Sequence, residues 1–205
     1  MEVILLTSPA SIKDMENFAA LAYLTCHANA GNHYVPHEKL ERAIKDKHES
    51  VLEHITLTYS VKELSRACLQ ELSRHRHISL SVESTRHTLR KQLENEQWVE
   101  SLSVKLLPCQ RHLLYYLADL AKISDYSNDE LKYYLPEFWP TNLILTSNIR
   151  ELRHILTLRT SPAALNEFRV LAYSLFEAVP EDYRYLLEDC VYKEDKNAVH
   201  ESKEN

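Results

Sequence analysis

The stretch SRHRHISLSVESTRH, residues 73–87, concentrates groups that bind anions. It contains three arginines, three histidines and four serines. Residues 62–92 carry seven Lys or Arg against three Glu, in a chain whose net charge is −6. Guanidinium groups match phosphate and carboxylate with two parallel hydrogen bonds, although a solvated basic face is the ordinary alternative for a charge run. The arginines stand among serines and apolar residues rather than beside acidic partners, which favours a local anion site.

A second basic group lies in SNIRELRHILTLR, residues 147–159. Helical spacing places Arg150 and His154 on one face, while Asn148 and Glu151 have the spacing of a helix-capping box. Arg159 directly precedes Ser161 and Pro162, which resemble the start of another helix. We expect Arg159 to lie in the break between two helices and to point into a cleft. The alternative is an arginine that offsets the dipole at a helix C-terminus.

Composition excludes several ways of binding phosphate. The chain has one glycine, Gly31, so neither a P-loop nor a GxGxxG fingerprint can be present, and side chains must bind any phosphate. The negative net charge gives no global field for nucleic acid or an anionic membrane, and no apolar stretch reaches the length of a membrane span. We therefore expect a cytoplasmic protein that binds neither nucleic acid nor a membrane.

Histidines and cysteines raise the possibility of a metal centre or a thiol nucleophile. The motif HESVLEH differs from HExxH, because His48 and His54 are six residues apart and do not share a helix face. The four cysteines contain no close pair of the kind that binds zinc or forms a redox motif. We expect no metal, and we interpret the cysteines as buried or incidental thiols: Cys26, Cys68, Cys109 and Cys190.

The chemistry-bearing segments must be positioned by a mixture of helices and strands. Period-two alternation predicts strands at 1–6, 53–63 and 77–84, the second with Ile55, Leu57, Tyr59 and Val61 on one face. Helical periodicity and start signals predict helices at 11–25 with Ser11 as N-cap and Phe18 on the apolar face, and then at 36–48, 63–75, 110–124, 147–159 and 162–179 with Ser161 as N-cap. A short helix before Pro136, a turn at 29–34 and a further helical turn in 181–191 complete the pattern.

These elements indicate an α+β fold with a central, mainly antiparallel sheet flanked by helices. The length of 205 residues favours a single domain. We expect this domain to span residues 1–192 and the polar segment 193–205 to be a disordered tail.

Three blocks of the chain resemble the flavin-dependent thymidylate synthase family. Arg74-His75-Arg76, seven residues and then Ser84 resemble the signature of that family, together with Ser79 and Arg86. HESVLEH resembles its upstream histidine–glutamate–histidine motif, and NIRELRHILTLR its downstream segment. The blocks follow the order and spacing of the family over about residues 48–160.

The resemblance implies an enzyme that converts dUMP to dTMP. Methylenetetrahydrofolate would supply the carbon, reduced FAD the hydride, and NADPH the electrons that reduce the flavin. It also implies a homotetramer with active sites shared between subunits, and hydride transfer to uracil without an enzyme–uracil thioether.

The family also implies roles for individual residues. By resemblance, the FAD contacts are Ser50, Arg74, His75, Arg76, Asn148, Arg150 and His154, with His48 near flavin and folate. By resemblance, the dUMP ligands are Glu71, Arg74, Ser84, Arg86, Lys132 and Arg159. Arg159 would be the catalytic residue, binding the pyrimidine and favouring its form ionised at N3, because a nearby cation lowers the cost of ionisation.

The chain departs from the family pattern at several positions. Ser81-Val82 replace an Asn-Glu pair, Glu71 replaces a glutamine and Lys132 replaces an arginine. His87 and His154 replace a tyrosine and an asparagine. Two other classes remain alternatives: a non-catalytic nucleotide- or RNA-binding module that uses residues 62–92, and a metal-dependent hydrolase.

Overall fold

The N-terminal and C-terminal parts of the chain form a four-stranded antiparallel sheet. The computed structural model describes residues 1–27 and 35–192, so the turn predicted at 29–34 and the tail predicted from 193 lie outside the described residues. The strand order is β1-β2-β4-β3, with the bounds β1 Glu2–Leu5, β2 Thr56–Ser65, β3 Ile78–Val82 and β4 Pro140–Asn148. The prediction of an α+β fold with an antiparallel sheet is confirmed.

Strand β2 is the long central member of this sheet. Its alternation buries Leu57, Tyr59 and Val61, as predicted, and it pairs with both β1 and β4. The strand continues through a register shift after Val61 to Ser65, so the helix predicted from residue 63 begins later, at Arg66. Extended backbone at Ser65 explains the late start, because its Oγ accepts a hydrogen bond from the Cys68 N–H at 3.1 Å and caps the helix.

Strand β4 was absent from the prediction. Its buried positions alternate, but the outer two are polar: Thr141, Leu143, Leu145 and Ser147. A strand with only two apolar residues on its inner face gives a weak period-two signal. Tyr59 of β2 stands opposite Leu145, which joins the two central strands in one core.

The chain divides into two compact units. The sheet unit comprises the described parts of 1–81 and 140–205, and the helical unit comprises 82–139. The sheet unit contains the helices α1 Pro9–Cys26, α2 Pro36–Lys45, α3 Arg66–Leu72, α8 Ile149–Arg159 and α9 Asn166–Glu177. The helical unit contains α4 Thr85–Glu94, α5 Glu96–Ser103, α6 Pro108–Ile123 and α7 Asn128–Leu131. Short 3₁₀ helices lie at Glu49–His54, Lys132–Tyr134, Glu181–Leu186 and Glu188–Cys190. The extent of the domain, 1–192, stays a prediction.

Each unit has its own apolar core. The larger core joins helices to the sheet and includes Leu52, Tyr59, Leu145, Leu152 and Phe168. The core of the helical unit includes Leu89, Leu93, Leu114, Leu117 and Trp139. Among the described residues, no helix is both long and apolar enough to cross a membrane.

Several helix boundaries differ from their predictions. Helix α1 is capped by Ser8, whose Oγ accepts from the Ser11 N–H at 3.1 Å, so Ser11 is inside the helix rather than its cap. Phe18 is 63% exposed, whereas its neighbour Ala19 is buried. Helix α9 begins at Asn166 rather than Pro162, because the Ser161 carbonyl accepts from the Ala164 N–H and closes a separate turn.

The end of α2 is a Schellman motif without glycine. The His48 N–H donates to the Ala43 carbonyl at 2.7 Å, and the Lys47 N–H donates to the Ile44 carbonyl at 3.0 Å. This geometry requires the left-handed conformation at Lys47, whose φ is 56°. A residue with a Cβ atom is strained there, and the motif fixes the backbone at His48.

We predict that Lys47→Gly stabilises the protein by about 0.5–1 kcal/mol, because glycine relieves the left-handed strain at a modest entropic cost. The free energy of unfolding, measured by denaturant titration, checks this. Lys45→Gly is the matched control and should destabilise by up to about 1 kcal/mol, since Lys45 is the last residue of the helix and has right-handed backbone. A Lys47→Gly protein as unstable as the control would contradict the prediction.

The cysteines differ in their environments. Cys26 and Cys109 are exposed, Cys190 is partly buried and Cys68, in α3, is fully buried in the core of the sheet unit. Burial raises the pKa of the Cys68 thiol, and the nearby Glu167 carboxylate raises it further. Burial also raises the pKa of Cys190. Neither thiol has the lowered pKa of an activated nucleophile.

We predict that iodoacetamide leaves Cys68 unmodified in the folded protein at neutral pH, because the buried thiol is protonated and inaccessible. Peptide mass spectrometry measures the modified fraction at each cysteine. The same protein unfolded in urea is the control, and there Cys68 should react as fast as the other three. Equal rates for Cys68 before and after unfolding would contradict the assignment.

Candidate functional site

The Arg-His-Arg triplet forms the turn between α3 and β3. The His75 N–H donates to the Leu72 carbonyl at 3.0 Å, which closes the end of α3. This tight turn sends neighbouring side chains in opposite directions: Arg74 and Arg76 are exposed, whereas only 5% of His75 is exposed. The three residues predicted as cofactor contacts therefore have two different environments.

Both ring nitrogens of His75 are engaged by other side chains. Nδ1 lies 3.2 Å from Oε1 of Glu151, and Nε2 accepts from the Arg159 Nε–H at 3.2 Å. An arginine Nε–H can only donate, so Nε2 carries no proton and Nδ1–H donates to the carboxylate. Burial lowers the pKa of His75, and the Arg159 charge lowers it further against the opposing effect of Glu151. His75 is therefore a neutral bridge between a carboxylate and a guanidinium.

Arg159, the last residue of α8, is held from three directions. Its Nη1 donates to Oε2 of Glu71 at 2.9 Å, its Nε donates to His75, and its guanidinium lies 4.5 Å from the centre of the Phe168 ring. The side chain is 17% exposed. Arg159 was expected in the break between two helices, but it is the last residue of α8 and directly precedes that break. Residues of α3 and α9 supply two of its partners.

Glu71 also contacts Arg74, with 3.4 Å between Oε1 and Nη1. One carboxylate therefore faces two of the predicted dUMP-binding arginines. The inference that the arginines lack acidic partners is thus wrong, because helix α3 places Glu71 between them. This pairing weighs against an open basic face of the kind that binds RNA.

Downstream of the triplet, α8 lines a cavity of about 580 Å³. Its lining includes three of the predicted FAD contacts, Asn148, Arg150 and His154, together with Glu151. The Asn148 Oδ1 accepts from the Glu151 N–H at 2.8 Å and caps the helix, as the sequence spacing predicted. The reciprocal half of the capping box is replaced, because the Glu151 carboxylate contacts His75 instead.

The charge of Arg150 is balanced within this cavity. Arg150 Nη1 donates to Oε1 of Glu53, and both residues line the cavity wall. The ring of His154 lies 5.7 Å from that of His75, which places the cavity beside the network around Arg159. Arg150 and His154 thus share one face of α8, as their spacing predicted.

The upstream motif folds as the 3₁₀ helix Glu49–His54. His48 immediately precedes it and is partly buried, and its ring lies 5.8 Å from that of Tyr23, with the two planes tilted by 58°. Ser50 is exposed on its surface. The predicted role of His48 and Ser50 near a flavin stays a prediction.

In the helical unit, Asp129 joins two further candidate residues. Arg86 Nη2 lies 2.9 Å from Oδ2 of Asp129, and Lys132 Nζ lies 3.5 Å from Oδ1. The neighbouring Asn128 side chain donates to the Arg86 carbonyl at 2.7 Å. Ser84 is the exposed N-cap residue of α4, and its hydroxyl makes no capping bond. Two of the predicted dUMP ligands, Arg86 and Lys132, therefore converge on one half-buried carboxylate.

A second chemical interpretation concerns His75, Glu151 and His154. Their potential ligand atoms lie within 4.8 Å of one another, a spacing that can suit a metal ion. Metal binding at Nδ1 of His75 would displace its proton to Nε2, where it would oppose the Arg159 Nε–H. A cation would also face the Arg159 guanidinium. The network therefore fits a hydrogen-bonded histidine better than a metal ligand.

The sequence analysis did not predict four contacts of the candidate site residues: those made by Glu53, Asp129 and Phe168, and that of Glu151 with His75. The capping-box spacing did single out Glu151, but for a different contact. Glu53 lies in HESVLEH and Asp129 only three residues before Lys132. Sequence gave no signal that Glu53 meets Arg150 or that Phe168 meets Arg159, because those partners come from distant segments.

Comparison with known proteins extends this local picture to the whole chain. Residues 5–187 match the family described as "Thymidylate synthase complementing protein". The flavin-dependent thymidylate synthase of Campylobacter jejuni is 40% identical over 170 residues, covering 73% of this chain and 78% of that protein. That of Wolinella succinogenes is 42% identical over 169 residues, with the same coverage of both chains.

The fold agrees with the sequence comparison. The crystal structure of thymidylate synthase X from Helicobacter pylori with FAD and dUMP is similar, with a TM-score of 0.81 and 34% identity. That similarity covers 94% of this chain and all of the other. On the extent of the family match and the identity to these relatives, the chain belongs to the flavin-dependent thymidylate synthase family.

Proposed function

We propose that this protein methylates dUMP reductively to dTMP, with methylenetetrahydrofolate as carbon donor and NADPH as reductant of FAD. The observation that carries the proposal is the arrangement around Arg159, a guanidinium fixed by His75 and Glu71 beside a cavity lined by Asn148, Arg150 and His154. Relatives with this activity in their names, and a similar structure with FAD and dUMP, support it.

The cavity has suitable donors for the anionic cofactor. Arg150 supplies a guanidinium, His154 an imidazole and Asn148 the amide NH₂ that its capping bond does not use. These side chains replace the glycine-lined backbone that the chain lacks. Bound FAD supplies the hydride for the reaction. We propose that five further residues complete the cofactor contacts: His48, Ser50, Arg74, His75 and Arg76. Of these, His75 would make its contact from a buried position in the turn after α3.

We propose that Arg86 and Lys132 bind the phosphate of dUMP, with Ser84 as a further ligand. Both cations already contact one half-buried carboxylate, Asp129, so their side chains can converge on a single anionic group. Lysine offers a point charge where arginine would offer a two-pronged contact. Replacement of the family arginine by Lys132 should therefore weaken rather than remove this contact.

We propose that Arg159 contacts the pyrimidine ring. Its anchored guanidinium favours the ring ionised at N3, because a fixed cation in a largely enclosed site stabilises a developing anion without reorganising. Glu71 faces the same guanidinium, so a pyrimidine anion must share or replace that contact. We propose a route without an enzyme–uracil thioether; the raised pKa values of two of the four cysteines, Cys68 and Cys190, make those two poor nucleophiles.

The assembly and the remaining co-substrate follow from the family. We propose a cytoplasmic homotetramer whose active sites are shared between subunits and accept the folate near His48. We propose no role in nucleic-acid binding, because Glu71 and Asp129 balance the cations that an RNA backbone would require.

The direct test uses the purified full-length protein. It should be yellow or become yellow with FAD, dUMP should perturb the flavin spectrum, and methylenetetrahydrofolate with NADPH should yield dTMP. A colourless protein that binds oligonucleotides in a salt-dependent manner and makes no dTMP after FAD addition would refute the proposal.

We predict that Arg159→Ala lowers the rate of dTMP formation by about 100-fold or more, because it removes a preorganised charge from the reacting ring. FAD should stay bound, as measured by the flavin absorbance of the isolated protein. Arg42→Ala is the matched control, because Arg42 is an exposed arginine that pairs only weakly with Asp46 at 3.5 Å. Normal turnover by Arg159→Ala would remove Arg159 from the mechanism.

A further inference from the structure

Two hydrogen bonds connect Arg159 to Glu151 through the ring of His75. Glu151 accepts from Nδ1 of His75, and Nε2 of His75 accepts from Nε of Arg159. Each donor in this chain has one acceptor, and the proton on His75 must be on Nδ1 for both bonds to exist. The orientation of the guanidinium therefore depends on a carboxylate that Arg159 does not contact.

Glu151 is well placed to keep this proton on Nδ1 of His75. Glu151 is 8% exposed and lies in the first turn of α8, where the helix dipole favours negative charge. His75 is equally enclosed, with the ring of Phe168 5.8 Å away on the same side as the guanidinium stack. Without the carboxylate, the Nδ1–H would lose the acceptor that holds it. The tautomer would then depend on the Arg159 contact alone, and any proton on Nε2 would oppose the Arg159 Nε–H.

Three contacts fix the orientation of the Arg159 guanidinium. His75 fixes Nε, Glu71 fixes Nη1 and Phe168 supports the face, so the plane of the guanidinium is determined. The hydrogen bonds to His75 and Glu71 use Nε and Nη1, so neither of them occupies Nη2, which can donate to a ligand. Loss of the His75 contact would let the plane rotate about the remaining Glu71 bond.

We infer that Glu151 is a positioning residue for the pyrimidine site: by fixing the Nδ1–H tautomer of His75 it sets the orientation of Arg159. This inference rests on the proposed function for its kinetic consequence, but the tautomer itself is a property of the folded protein. Glu151 touches neither Arg159 nor, in this arrangement, the reacting ring. Its effect must pass through His75.

The first test is spectroscopic and does not depend on turnover. In the ¹⁵N-histidine-labelled protein, long-range ¹H–¹⁵N imidazole spectra should show His75 as the neutral Nδ1–H tautomer, assigned by comparison with His75→Asn. Glu151→Gln should keep this tautomer, because the amide oxygen still accepts from Nδ1. Glu151→Ala should lose it. A wild-type His75 protonated on Nε2, or unaffected by Glu151→Ala, would overturn the inference.

The second test is kinetic. Glu151→Ala should lower kcat for dTMP formation by about 10- to 100-fold with flavin absorbance retained, as expected for a misplaced reacting group. Glu151→Gln should recover most of that loss. In a His75→Asn background Glu151→Ala should have little further effect, because coupled residues are not additive. Equal loss in the Ala and Gln variants, or additive losses with His75→Asn, would contradict the inference.

Asp189→Asn is the matched control for damage to α8. Asp189 contacts Arg153 of the same helix with 2.6 Å between Oδ1 and Nη1, so the variant removes a carboxylate partner without touching the His75 chain. It should leave the His75 tautomer and kcat unchanged. If the wild-type protein makes no dTMP, the proposed function fails, whereas the spectra of Glu151→Ala and Glu151→Gln still decide the inference.

Discussion

The contact between the Glu151 carboxylate and His75 joins the parts of the sheet unit that carry the candidate chemistry. His75 lies in the turn after α3, and Glu151 lies in the first turn of α8, 76 residues later. Burying a carboxylate is costly unless its charge is satisfied. The Nδ1–H of His75 and the N-terminus of α8 together offset that cost. Because the proton of His75 is then on Nδ1, its Nε2 can only accept, and it accepts from the Arg159 Nε–H. A single buried charge thereby orders a turn, a helix and a guanidinium.

Internal carboxylates balance the cations throughout the candidate sites. Glu71 faces Arg74 and Arg159, Glu53 faces Arg150, and Asp129 faces Arg86 and Lys132. An anionic ligand must compete with these acids for the same N–H groups, which lowers its affinity but gives a fold that is stable without concentrated positive charge. Glu71, where the family has glutamine, strengthens this competition at the proposed pyrimidine site. The pattern also explains how an acidic chain can concentrate arginines in one stretch.

Local patterns predicted the elements whose signals lie within a few residues. The alternation of β2 and the Asn148 cap of α8 are examples, since each depends on neighbours in sequence. Strand β4 escaped because Thr141 and Ser147 occupy inward positions, where the sheet rather than hydrophobicity fixes their direction. In the site, the family motifs identified Arg74, His75 and Arg159. The partners of His75 and Arg159 could not be read from sequence, because Glu71 and Arg159 are 88 residues apart and meet only in the packed fold.

Helix α8 couples the cavity to the network because it presents different chemistry on different faces. At about 100° per residue, Arg150 and His154 project together toward the cavity, whereas Glu151 is rotated inward toward His75. Arg159, nine residues after Arg150, lies on about the opposite side of the helix. A rigid helix whose inward positions Leu152, Ile155 and Leu156 are fully buried holds these directions constant. Any shift of α8 that moved Arg150 and His154 relative to a cofactor would also displace Glu151 from His75. Helix α8 therefore sets both the proposed cofactor contacts and the orientation of the proposed catalytic arginine. A chain with a single glycine can in this way position both with side chains rather than with a glycine-lined backbone.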